Sequence, residues 1–268
     1  MPSKRLAALG ALAILPVFAQ VQNSQNAQDT TEKIARHQHG PIRDLKNHFD
    51  GTSTSSNWSG YAVLGSSFNA AAASWIVPAS TCSSGNQYAS FWVGLDGYSS
   101  STVEQTGTDS DCVGKNPSYY AWYEFYPHPS FEITSLSIKP GDVMEATVVY
   151  KGGAFTVTIV DKTTGKAFRK SSTVSGAKRS SAEWIAEAPC CTAGGGILPL
   201  ADYGTVLFGL DSTGATSTNF AFDSTTKGPI GAFPTIEQIT MAKSGVMESV
   251  PSELSNDGTS FSVTWFAQ

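Results

Sequence analysis

Any hydrolytic chemistry in this chain must fall to carboxylates and amides. Four histidines occur in 268 residues, and three of them, His37, His39 and His48, lie in a polar N-terminal stretch. The fourth, His128, sits in a His-Pro-Ser turn. A serine triad could use this one histidine, but no Gly-x-Ser-x-Gly elbow accompanies it, and a surface turn histidine is the better reading. One histidine is too few for a His-based zinc site, and the four cysteines form no Cys-x-x-Cys pair. No metal and no cofactor is expected. An aspartic pair wants two Asp-Thr-Gly or Asp-Ser-Gly segments. The chain has Gln105-Thr106-Gly107 and Asp211-Ser212-Thr213 instead, with an amide where the first acid would stand.

Two segments remain, Val103-Glu-Gln-Thr-Gly-Thr-Asp109 and Ser181-Ala-Glu-Trp-Ile-Ala-Glu187. Read as strands, with side chains alternating between faces, they offer a Gln and a Glu for activating one water. Val103 and Gln105 share a face, and Glu104 points away. Ser181, Glu183, Ile185 and Glu187 share another, with Trp184 opposite. In Ala121-Trp-Tyr-Glu-Phe-Tyr-Pro127, the residues Trp122, Glu124 and Tyr126 fall on one side. Apolar walls with one acid suit a peptide groove.

Together with Phe91-Trp-Val-Gly-Leu-Asp-Gly97, these segments resemble the glutamic peptidases, or eqolisins. The resemblance spans most of residues 57–268, and four motifs in series are far more specific than one. It implies Gln105 and Glu183 as a catalytic dyad, the acid being the one directly after Ala182 rather than Glu187. Glu183 would take a proton from water and return it to the leaving nitrogen. Gln105 would hold that water and donate to the oxyanion. A glutamate titrating near about 4.3 can do this in acid, where histidine could not. Trp92, Asp96, Asp109, Trp122, Glu124 and Tyr126 match positions that line or support the cleft. Taken singly, the tryptophans would serve as well in a core, and Asp109 as a turn cap. One departure stands out: Tyr120 replaces an acid frequent in the family. The resemblance also implies an all-β, concanavalin A-like sandwich of two antiparallel sheets, with the substrate cleft on one curved sheet.

The elements needed to position these residues are legible as short strands separated by turns. Trp58–Val63, Ala72–Val77, Ala89–Leu95, Val103–Thr106 and Tyr119–Tyr126 come first. Phe131–Ile138 runs to the turn Lys-Pro-Gly-Asp. Val143–Tyr150 and Phe155–Val160 flank Lys-Gly-Gly as a hairpin. Lys166–Ser171, Ser180–Glu187, Thr205–Leu210, Phe220–Phe222, Gln238–Lys243 and Phe261–Phe266 follow. No long helical period occurs, which favours a sandwich.

Residues 1–19 have the layout of a signal peptide: Lys4 and Arg5, then an apolar run too short to span a bilayer comfortably. Residues 20–56 are polar and almost free of aromatics, as in a propeptide or flexible arm. Residues 57–268 are expected to form the catalytic domain. Six of the 17 Lys and Arg, but only four of the 22 Asp and Glu, precede residue 57. A mildly basic arm can therefore dock on an acidic domain, and an acidic domain is a poor partner for nucleic acid. In a secreted chain, Cys82 and Cys112 are expected to pair, whereas the adjacent Cys190 and Cys191 are left open between a vicinal disulfide and thiols. The expectation is a secreted monomer, without a membrane span once mature, that acts on polypeptides. Two rival readings are a glycoside hydrolase using Glu183 with Glu104 or Glu124, and a carbohydrate-binding module presenting its tryptophans.

Overall fold

A computed structural model describes residues 32–48, 50–190, 195–215 and 219–268. The expected signal peptide, the first part of the arm and Cys191 lie outside the described residues. In chain order the strands are β1 (Glu32–Ile34), β2 (Lys46–Asn47), β3 (Thr52–Ser55), β4 (Trp58–Leu64), β5 (Ala70–Ile76), β6 (Asn86–Gln87), β7 (Ser90–Leu95), β8 (Val103–Val113), β9 (Asn116–Tyr126) and β10 (Phe131–Ile133). They continue as β11 (Val143–Lys151), β12 (Ala154–Asp161), β13 (Lys166–Ser172), β14 (Ser181–Glu187), β15 (Thr205–Phe208), β16 (Phe220–Phe222), β17 (Lys227–Pro229), β18 (Ile236–Lys243), β19 (Val246–Pro251) and β20 (Phe261–Trp265).

One layer runs β18–β4–β14–β7–β8–β9–β10–β1. The other runs β13–β12–β11–β5, and both β15 and β16 pair with β5. Strands β5, β11 and β12 pack on β7 and β8 without pairing to them, as stacked sheets do. Hydrogen bonding passes from layer to layer through β15–β20, β20–β19 and β19–β18. Strand β3 lies parallel to β18; the other pairings between named strands are antiparallel. This is the expected all-β sandwich.

Alternation decides what each face does. Trp184, Phe91, Val93, Tyr123 and Phe125 point between the layers, where they meet Trp75, Phe155 and Phe208. The opposite face of β4, β14, β7, β8 and β9 carries a second cluster of Trp58, Trp92, Trp122, Val103 and Ile185. Ala35, Ile42 and Leu45 of the N-terminal arm complete it. Such an aromatic face would be costly to leave in water. Here the arm roofs it.

Strand β8 runs from Val103 to Val113, well beyond the predicted Val103–Thr106. Its polar half, Thr-Gly-Thr-Asp-Ser-Asp, is held extended by β7 on one side and β9 on the other. Asp109 is therefore a buried mid-strand residue rather than a turn cap. The predicted strand Phe131–Ile138 stops at Ile133, and Leu210 opens a helical turn, Leu210–Thr213. Cys82 and Cys112 are disulfide-bonded, with Cα atoms 5.4 Å apart. Among the described residues no helix is long and apolar enough to cross a membrane.

Candidate active site

Four strands side by side form a grid. Glu183, Gly94, Gln105 and Glu124 lie in one row across β14, β7, β8 and β9. Ile185, Trp92, Gly107 and Trp122 make the next row. Glu187, Ser90, Asp109 and Tyr120 make the third. The glycine of the Gln-Thr-Gly motif has a steric reason. A Cβ at Gly107 would sit 2.3 Å from the Phe91 carbonyl oxygen and 2.6 Å from the Trp92 Cβ. Only glycine lets Trp92 fold over β8 at this point.

The arm crosses this grid. It enters through β1, which pairs with β10, and Ala35 donates its amide to the Ser130 carbonyl. His37 Nε2 meets Asp109 Oδ2 at 2.5 Å, with the Tyr120 hydroxyl 3.2 Å away. Gln38 exchanges two backbone hydrogen bonds with Cys190. Then comes His39. Its amide donates to Glu124 Oε2 at 2.8 Å, and its carbonyl accepts from the Gln105 side-chain amide. Its ring lies flat on Trp122, and its Nδ1 stands 3.5 Å from Glu187 Oε2. Beyond it, Gly40 packs by Tyr126, Ile42 donates to the Gly97 carbonyl and Arg43 to Asn57 Oδ1.

Burial under the arm governs the protonation of the acids. Glu124 is pushed well above the usual carboxylate range by desolvation, against the His39 amide, which favours its ionised form; Glu187 and Asp109 push further upward. Glu187 is likewise raised by desolvation, opposed by the Trp92 indole, which donates to its Oε2 at 2.8 Å. His39, wholly buried, is pushed down to about 3, chiefly by desolvation. Asp109 is lowered despite its burial, because His37 and His39 face it.

Of the residues expected from sequence, Gln105, Glu124, Trp122 and Asp109 touch the arm directly. Tyr126 packs by Gly40, and Trp92 orients Glu187. Asp96 does something else. Held at a positive φ of 69°, it accepts amides from Lys178, Arg179 and Ser180, and so fixes the loop that leads into β14. Glu183 is buried beside Ser181, Asp96 and Glu104, and desolvation raises its pKa well above the usual range. No hydrogen bond links it to Gln105 or to the arm among those of the described residues. Four participants lie outside the site residues that the sequence points to: His37, His39, Tyr120 and Glu187. The sequence offers Glu187 only as a rival to Glu183. The two histidines fall in the polar arm, although His-x-His in an extended segment presents both rings to one side.

Comparison with known proteins follows the same outline. The Peptidase A4 family matches residues 56–260. Aspergillopepsin-2 of Aspergillus niger is 32% identical over 178 residues, which cover 58% of this chain and 62% of that protein. Scytalidopepsin B of Scytalidium lignicola is 35% identical over 119 residues, 43% of this chain and 44% of that one. The chain thus aligns with less than two thirds of the length of these two relatives. A crystal structure of scytalido-glutamic peptidase with a transition state analog inhibitor superposes with a TM-score of 0.66 at 25% identity, over 79% of this chain and 98% of that one. With a family match over well more than half of its length and the same sandwich, this chain belongs to the peptidase A4 family, the glutamic peptidases or eqolisins.

Proposed function

We propose that this protein is a secreted, acid-acting endopeptidase whose own N-terminal arm blocks its cleft until activation. One observation carries the reading. A single arm residue, His39, engages Gln105 and Glu124 through its backbone and Trp122 and Glu187 through its ring. A groove that holds peptide amide and carbonyl groups in this way suits polypeptide recognition better than sugar binding. A carbohydrate-binding platform has no need of a Gln and acids beneath it.

Gln105 is one half of the proposed dyad. For the other half, Glu187 is favoured over Glu183. Glu187 approaches the arm residue that Gln105 binds, and its charge is felt at Glu124, which Gln105 also touches. Glu183 faces Asp96 and Glu104 instead. The Glu187 carboxylate takes a proton from water as that water attacks the peptide carbonyl, and then protonates the departing nitrogen. The Gln105 amide donates to the oxyanion. Glu124 anchors the substrate amide on the N-terminal side of the scissile bond. The mature enzyme needs no cofactor and acts as a monomer outside the cell.

The test is digestion of a denatured protein at about pH 4, where a glutamate is partly ionised. Wild type is compared with Gln105→Ala, Glu187→Gln and Glu183→Gln. Loss of activity in the first two, with activity kept in the third, is the expected pattern. Equal digestion by all four would end the dyad reading, and loss in Glu183→Gln alone would return the base to that residue.

A further inference from the structure

The arm does not lie across the cleft as a plug of arbitrary fit. It is gripped on both sides of one peptide bond. Upstream, the hold comes from β1 against β10, from His37 on Asp109 and from Gln38 on Cys190. Downstream, it comes from Gly40 against Tyr126, Ile42 on Gly97 and Arg43 on Asn57. The bond between these two sets is His39–Gly40. Its carbonyl oxygen accepts the Gln105 side-chain amide, and the amide of the same residue is fixed by Glu124. Gly40 brings no side chain to the leaving-group position, where a Cβ would come no closer than 3.6 Å to the Tyr126 ring.

We propose that His39–Gly40 is the first bond the enzyme cuts in its own chain, with the arm held as an intramolecular substrate. The inference rests on the peptidase reading above and adds to it the bond and the order of events. Water oxygen bonds to the His39 carbonyl carbon while Glu187, in the ionised fraction that burial under the arm keeps small, accepts the water proton. The carbonyl electron pair moves onto oxygen, where the Gln105 amide receives it. The intermediate collapses, the C–N bond breaks, and the Gly40 nitrogen leaves with the proton held by Glu187. One water is consumed, and a carboxyl group at His39 and an amine at Gly40 result. Holding both sides of the bond removes the need for a bimolecular encounter, so the step is first order in the chain.

The full-length chain is purified at neutral pH, acidified to about pH 4 and quenched at intervals, and its fragments are mapped by intact mass. A Gly40→Pro variant, in which an imino nitrogen follows the His39 carbonyl and the bond resists cleavage, is run in parallel. Activity on a denatured protein is read from the same samples. The expected result is an earliest fragment pair split between residues 39 and 40, appearing at a rate independent of protein concentration. Gly40→Pro should lack that pair and show a lag at least tenfold longer. A first cut elsewhere, or departure of the arm uncut, with the denatured protein still digested, overturns the proposal and leaves the peptidase reading intact. Absence of digestion in every sample overturns both.

Discussion

The imidazole of His39 lies on the indole of Trp122 with ring centroids 3.5 Å apart and planes 6° from parallel. The two residues come from opposite ends of the site: one is a guest in the groove and the other part of its floor. The floor is apolar and flat here, and Glu124 and Gln105 in the adjoining row order the backbone above it. Aromatic pairs contribute about 0.5–1.5 kcal/mol beyond their buried area. Replacing Trp122 with Leu should weaken the arm's hold by on the order of three- to tenfold at this contact alone. Inhibition by a peptide of residues 33–44 carrying Gly40→Pro would measure it, and kcat should move less than KM for a peptide with an aromatic or imidazole side chain at that position.

The dyad makes a sharper prediction. Gln105→Ala removes an oxyanion donor, an effect on the order of 10²–10³ in kcat. Glu187→Gln removes the proposed proton acceptor and should leave activity at background. Each must be shown to fold by its near-ultraviolet spectrum, because both side chains are buried under the arm. Glu183→Gln keeps the shape of a buried acid already pushed toward its neutral form, so it should change stability little and retain activity.

His39 makes one contribution to the arm's response to acid, and its sign is toward release. The docked imidazole titrates near about 3 instead of its usual 6.5. Protons therefore favour the undocked arm increasingly as pH falls from about 6.5 toward about 3. Asp109, lowered by the two histidines, holds the arm fully above the ordinary aspartate range, and that hold fades as pH falls from there toward its depressed pKa. Glu124 and Glu187, both raised under the arm, act oppositely: each favours docking as it takes up a proton. His39→Gln removes the first effect and keeps the others. Hydrogen exchange of residues 33–43 should then show a ratio of opening at pH 4 to opening at pH 7 that is on the order of 10²-fold smaller than in wild type, because pH 4 lies well below the free imidazole's pKa and above the docked one. An unchanged ratio would assign the acid response to Asp109 or to another group.

Gly107 is predicted to tolerate nothing larger. In Gly107→Ala the new methyl meets backbone at 2.3 Å, and neither β7 nor β8 can move aside within a paired sheet. Overpacking of this kind costs about 1–3 kcal/mol. Thermal unfolding should show the loss, along with reduced activity, because Gln105 and Asp109 flank the site on the same strand.

The Cys82–Cys112 bond spans 30 residues and ties the approach to β7 to the far end of β8. Loss of a loop closure of that size costs on the order of 3 kcal/mol. The Cys82→Ala, Cys112→Ala pair should melt earlier, with the arm still seated at neutral pH.

Much of this was legible in the chain itself, and the exceptions share a cause. The faces of β8, β9 and β14 follow from period two: Gln105, Trp122, Glu124, Ile185 and Glu187 share the groove side, while Trp184, Tyr123 and Phe125 go to the core. The sandwich and the disulfide were equally readable. Alternation, however, gives a face and not a position along it, so it could not separate Glu183 from Glu187, which differ by one row pair on the same side. The polar half of β8 was missed because its extension is imposed by two neighbours rather than by its own residues. The arm was missed most fully. Low apolar content argues against a segment folding alone, but Ala35, His37, His39, Ile42 and Leu45 are ordered by a surface supplied elsewhere in the sequence.

The stretch after Gly40 remains stitched to the body. Ile42 and Arg43 bind Gly97 and Asn57, β2 pairs with β3, and β3 lies along β18. The stretch before it rests on the groove floor and on the short pairing of β1 with β10. While the backbone is continuous, the blocking residues are present at a millimolar local concentration or more, and they rebind as often as they leave. Severed once, they are diluted into the surrounding medium, and a hold that sufficed for a leashed ligand no longer suffices for a wandering one. A brief acid episode would thus leave a lasting mark: neutralising the solution afterwards would not restore the silent state.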